Sequence, residues 1–225
     1  MGFCVIIKYN AMLTTEKSTI FNSDTRSWRK THACIISTIE LTDEKLKLKK
    51  FVEVILNEGQ TFYLDYEAHS QIVILVLYGK IITDPFPHEI HSDQIIILNP
   101  IQKDRLEIKN ASMDECTDII IFEIHNPNSE SFICLENLHI KKKNELFSLS
   151  ESLSFPAFIG LYDGRKKQKY ELKQENKSIF GIVINGACEF QDRLMESRDA
   201  ILLQDIKTLD FDALSENLLI VFLEI

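Results

Sequence analysis

The sequence predicts an all-β protein made of two barrels in tandem. Three observations carry that reading. Short runs rich in Ile, Val, Phe and Tyr recur along the chain with turn residues between them. No stretch sustains the 3.6-residue apolar period of a helix. The second half also reads as a shorter repeat of the first, each half closing on an apolar strand, DIIIFEI (118–124) and NLLIVFLEI (217–225).

The first series is ACIISTIEL, KFVEVIL, TFYLDYE, QIVILVLYG, DQIIILN, RLEIKN and DIIIFEI, broken at Asn57 to Gly59, Asp84-Pro85 and Asn99-Pro100. HNPNSE then breaks the chain direction, and a mixed stretch with the basic run Lys141 to Lys143 follows. The second series is AFIGLYDG, KYELK, SIFGIVING, ACEFQ, AILLQD, KTLDFDA and NLLIVFLEI. The division expected is a first barrel with a leading segment in residues 1–130. A connection and a second barrel fill 131–225, with the first barrel ending near Ile124 and the second starting near Phe155. Any helix should be short, with Thr42 to Lys49 as the candidate.

Composition bounds the function. The chain has 225 residues, 45% of them apolar and 26% charged, with only 7 Gly and 5 Pro, as expected of a globular protein with real cores. A net charge of −9 argues against nucleic acid, whose phosphates require basic patches. Part of that charge is local, since Glu189 to Ile225 holds nine acidic and three basic residues. An acidic face of this kind mainly governs solubility. Five cysteines without a CxxC fit a reducing compartment, so the protein is expected in the cytoplasm. The apolar opening GFCVIIKYNAM lacks a basic start and a small-residue cleavage site, which argues against a signal peptide. Residues 1–12 read either as a first strand or as an extension. IVILVLY is too short to span a membrane.

The stretch Gly59 to Gly79 holds the candidate site. Asp65, Glu67 and His69 fall at every second position, so on a strand the three would share a face. The frame runs Asp65-Tyr66-Glu67, AHS, Gln71, IVILVLY, Gly79, and Asp93 and Arg105-Leu106-Glu107 follow downstream. In order and spacing these elements, with FIGLYDGRKKQKYEL, GIVINGACEF and RDAILLQD later, resemble the pirin-like bicupins, which include bacterial quercetinase-type proteins. The resemblance covers the chain from about Ile20 and implies two tandem cupin jelly-roll barrels.

It also implies where a metal would sit. The family holds an iron-type divalent ion in its first barrel with three histidines and one glutamate. Carried over, those positions are Asp65, Glu67, Arg105 and Glu107, so only the glutamate is kept. Imidazole selects iron-type metals, and a guanidinium cannot ligate one. The reading that follows is a degenerate site with no cofactor, in which Arg105 pairs with a carboxylate inside the barrel. The alternative is a hard divalent cation on Asp65, Glu67 and Glu107. In the second barrel the equivalent positions are Tyr170 and Leu172, which bind no metal.

Other histidines weigh less. His69 could add a softer donor, but a lone histidine by a strand is more often structural. His88 and His91, between Pro85 and Pro87 and the next strand, read as a solvent-facing pair in a loop. Cys188 has no histidine near it in sequence, and no GxSxG, P-loop, GxGxxG or HExxH occurs. The expected function is therefore that of a bicupin without its metal, binding a small molecule or a protein and no nucleic acid or membrane. The enzyme alternative is a quercetinase-like, metal-dependent dioxygenase using the carboxylate-rich site.

Overall fold

The computed structural model describes residues 17–100, 102–127, 130–173 and 177–225, and every regular element among them is a β-strand. The alternatives for residues 1–12 lie outside the described residues. The chain opens with β1 (Lys17–Phe21) and β2 (Trp28–Lys30), then β3 (Cys34–Glu40), β4 (Leu48–Leu56), β5 (Thr61–Tyr66) and β6 (Ser70–Tyr78). It continues with β7 (Lys80–Thr83), β8 (Phe86–His91), β9 (Gln94–Leu98), β10 (Asp104–Asn110) and β11 (Thr117–His125). Two strands lie in the connection, β12 (Ile133–Asn137) and β13 (Leu146–Ser148). The second series is β14 (Ala157–Tyr162), β15 (Lys167–Glu171), β16 (Lys177–Asn185), β17 (Cys188–Phe190), β18 (Leu194–Met195), β19 (Ala200–Ile206), β20 (Thr208–Ala213) and β21 (Leu218–Glu224).

Two local expectations are corrected. Thr42 to Lys49 is not a helix: Asp43 Oδ1 accepts from the Lys45 amide at 3.0 Å in a turn, and β4 begins at Leu48. Leu46 and Leu48 are both buried, two residues apart, which is a strand period. The histidines after Pro85 are not in a loop either, because Phe86 to His91 is β8. Pro87 is tolerated there because β8 is the edge of its sheet, where a missing amide proton breaks no ladder.

Each barrel is a large sheet packed on a small one. In the first the orders are β12-β9-β6-β11-β4-β3-β2 and β5-β10-β7-β8; in the second they are β1-β19-β16-β21-β14-β13 and β15-β20-β17-β18. Adding ten to each strand number from β3 to β11 reproduces the second barrel, so the repeat read from sequence is a repeat of topology. The turn glycines repeat as well. Gly79 leads from β6 to β7 with φ 79°, and Gly186 leads from β16 to β17 with φ 92°. A Cβ there would come within 2.5 Å of Thr117 Oγ1 or 2.4 Å of Ser215 Oγ, so both turns require glycine.

The start of the chain departs from the sequential division. β12 covers the edge of β9 in the first barrel, and the same place beside β19 in the second is taken by β1, from the other end of the chain. That pairing occupies the backbone groups an open edge would present. β2 then crosses back and pairs with β3, so residues 17–30 strap the two barrels together.

Between the barrels lies an apolar core as continuous as those inside them. Phe51, Val73 and Phe122 of the first barrel meet Phe180, Leu202 and Val221 of the second. β6 shows why its sequence is an unbroken apolar run: Ile72, Ile74 and Val76 face into the first barrel, while Val73 and Leu75 face the second. β4 alternates likewise, with Val52, Val54 and Leu56 inside and Phe51 toward the partner barrel.

Candidate functional site

β5 and β10 pair antiparallel in the small sheet of the first barrel, with Asp65 opposite Arg105 and Leu64 opposite Leu106. Alternation then assigns faces. The side chains of Asp65, Glu67 and Arg105 are 69%, 67% and 59% exposed, so these residues stand on the outside of the barrel. Arg105 Nε donates to Asp65 Oδ1 at 2.8 Å, and its guanidinium lies 5.5 Å from the Tyr63 ring. Lys103 Nζ pairs with Glu67 Oε1 at 2.6 Å. Arg105 thus finds Asp65 as its partner, but the pair is in solvent and not in the barrel interior as expected from the family spacing. Glu107, half-buried, lies opposite Tyr63 on the same outer face. The cause is the two-residue period of a strand: a slip of one position moves a whole residue set to the other face.

The Arg105 hydrogen bond holds the Asp65 carboxyl below its usual range. Because both partners are solvated, Asp65→Asn is expected to leave the thermal midpoint within error of the parent. A fall of several degrees in a melting experiment would mean that the pair is structurally buried.

The interior positions are the other parity. Leu64, Leu106 and Ile108 are buried and Phe62 and Tyr66 pack against the same cluster. A cavity of about 160 Å³ opens beside them, walled by Tyr66, Ile72, Leu98, Leu106 and Phe132, with Asn99 among its lining. Asn99 Oδ1 accepts from Gln71 Nε2 at 2.9 Å, and Gln71 Oε1 accepts from the amide and hydroxyl of Ser154, each at 3.4 Å. Burial raises the Tyr66 hydroxyl pKa, with the Asp104 charge adding to it, so the phenol stays protonated. This donor set does not fit an iron-type ion, which the family implies for the barrel interior: leucines and isoleucine replace imidazole and carboxylate. Among the described residues no three His, Cys, Asp or Glu are grouped to hold a metal.

Elsewhere the candidates disperse. His69 adopts φ 56° in the turn after β5, out of phase with Asp65 and Glu67. His88 and His91 lie three apart on β8, which puts them on opposite faces. Burial pushes the Cys188 thiol up to about 12, which removes it as a nucleophile. In the second barrel Tyr170 and Leu172 pack against the interior cluster, and Tyr170 Oη donates to Glu224 Oε2 at 2.9 Å. That interior is filled by aromatic rings, Tyr162 standing 5.0 Å from Phe211 edge-on and Phe190 stacking on Phe211 at 5.9 Å.

Sequence reasoning missed Tyr66, Asn99 and Phe132. Phe62, Leu64 and Tyr66 repeat every second residue as regularly as Tyr63, Asp65 and Glu67 do, so period alone is neutral between them. The signal was in the second half: β15 corresponds to β5, and Tyr170 on it with Leu172 just after it, both packed inward, are of the Leu64 and Tyr66 type.

Comparison with known proteins agrees with this architecture. Residues 156–224 match the family model of the quercetinase C-terminal cupin domain. No curated protein sequence matches the chain. Among solved structures, YhhW from Escherichia coli, a bacterial pirin, superposes with a TM-score of 0.77 at 12% identity, covering 92% of this chain and 97% of that one. YhaK from Escherichia coli gives 0.67 at 14% identity, covering 90% and 94%. Quercetin 2,3-dioxygenase from Acinetobacter baumannii gives 0.69 at 10%, covering 93% and 86%. At these identities the likeness is one of fold.

Proposed function

We propose, on the premise that the chain is a pirin-like bicupin whose second barrel is a quercetinase C-terminal cupin domain, that its first barrel binds a small organic molecule without a metal. The observation that carries this is the interior of β5 and β10. Where a metal cupin needs imidazole and carboxylate, this chain turns Leu64, Tyr66, Leu106 and Ile108 inward, and Tyr66 and Leu106 wall an open, largely apolar cavity. Apolar walls with a few polar groups are what a binding pocket for a neutral molecule requires. The interior of the second barrel is packed with side chains, Tyr162, Phe190, Phe211 and Phe222 among them.

The place of action is the cytoplasm. What supports this reading is that Cys34, Cys116, Cys134 and Cys188 are free thiols, in keeping with a reducing compartment.

The test is elemental analysis of protein purified without added metal or chelator, together with oxygen uptake on addition of quercetin. The expected result is no stoichiometric iron, nickel, copper or manganese and no uptake above buffer. A stoichiometric metal with flavonol-dependent oxygen consumption would overturn this reading in favour of a dioxygenase.

A further inference from the structure

We propose that the first-barrel cavity takes a single-ring, uncharged organic molecule bearing one hydrogen-bond acceptor, a small aromatic ketone or aldehyde by class. This rests on the metal-free binding reading above and adds the chemistry of the ligand.

Size sets the first limit. The cavity measures about 160 Å³, and an apolar cavity of about 150 Å³ is known to hold one benzene ring. That volume takes one ring of a three-ring flavonol and leaves the rest outside at the rim. Charge sets the second limit. Ile72, Leu98, Leu106 and Phe132 form the walls, and among the described residues no charged side chain lines the cavity. An ionised carboxylate or ammonium would therefore lose its water with nothing in return.

Hydrogen bonding sets the third. The Asn99 side chain is nearly fully buried and its oxygen is already taken by Gln71 Nε2. Gln71 is itself oriented by Ser154 through its own oxygen, so the chain of amides runs one way. That leaves the Asn99 amide nitrogen as the donor for a ligand acceptor. A ligand carrying a carbonyl oxygen accepts a hydrogen bond from that nitrogen that its hydrocarbon counterpart cannot form, so it binds better. The Tyr66 phenol, neutral like any tyrosine at pH 7, offers a second group on the same wall.

Acetophenone is the probe, with benzoate as the charged isostere of similar size and quercetin as the three-ring compound. Binding is followed by saturation-transfer NMR and by the methyl shifts of Ile72, Leu98 and Leu106. Acetophenone is expected to bind saturably and to move those methyls, with benzoate weaker by roughly tenfold or more because its charge is desolvated. Leu106→Phe, which fills the cavity, should abolish the shifts. Should that variant misfold, Ile133→Trp at the rim serves instead, since Ile133 is 44% exposed and can be enlarged without disturbing the core. Benzoate binding as tightly as acetophenone, or quercetin moving the same methyls with a cavity-filling variant blocking it, would overturn the ligand class and leave metal-free binding standing. Acetophenone leaving all three methyls unmoved also overturns the ligand class. Metal-free binding itself fails separately, on the elemental analysis.

Discussion

Replacing Glu53 with alanine is expected to cost about 3–5 kcal/mol of stability, the usual consequence of removing one side of a buried ion pair. Glu53 sits on β4, facing the second barrel, with its side chain only 2% exposed. Arg26 Nη2, from the strap between β1 and β2, donates to one carboxylate oxygen at 2.8 Å, and Arg198 Nη1, from the second barrel, donates to the other at 2.7 Å. Arg198 also reaches Asp118 on β11 at 2.5 Å, where burial pushes the carboxyl up against the pull of the guanidinium. One carboxylate thus joins the strap and both barrels. Without it the Arg26 guanidinium, 5% exposed and with Nε and Nη1 already lacking hydrogen-bond partners, would be left as a buried cation held by the Arg198 carbonyl and the face of the Trp28 ring, 5.0 Å away. Urea denaturation measures the change. A loss under about 1 kcal/mol, the range of an exposed pair, would show that the seam is hydrated.

Phe180→Ala is expected to cost a similar about 3–5 kcal/mol, from lost burial plus the cavity left behind. Phe180 lies on β16 of the second barrel, yet its ring is 5.3 Å from Phe51 and 6.3 Å from Phe122, both of the first, and 6.4 Å from Phe21 of the strap. Because this core is shared, the loss should appear in one unfolding transition common to both barrels. Calorimetry of the parent and the variant checks this: two separated transitions, with only the later or the earlier one shifted, would mean that the barrels fold independently.

The sequence by itself determined most of the strands, the main turns and the repeat, while Thr42 to Lys49 and Phe86 to His91 were corrected by the structure. β-branched and aromatic runs bounded by Gly, Pro and Asn specify strands locally, and the matched strands β11 and β21 announce two copies of one topology. What the sequence left open was parity. Tyr63, Asp65 and Glu67 and the interleaved Phe62, Leu64 and Tyr66 are equally periodic, and only burial of one face says which set lines the barrel. Tertiary structure therefore moved the site from an outward ion pair, Asp65 with Arg105, to an inward cavity beside Tyr66 and Asn99. It alone also decided that Ile20 and its neighbours complete the second barrel and that Glu53 bridges the two. Both facts depend on contacts between residues more than a hundred positions apart in the chain, Phe21 beside Ala200 and Glu53 beside Arg198, and no local preference of the backbone encodes a contact of that range.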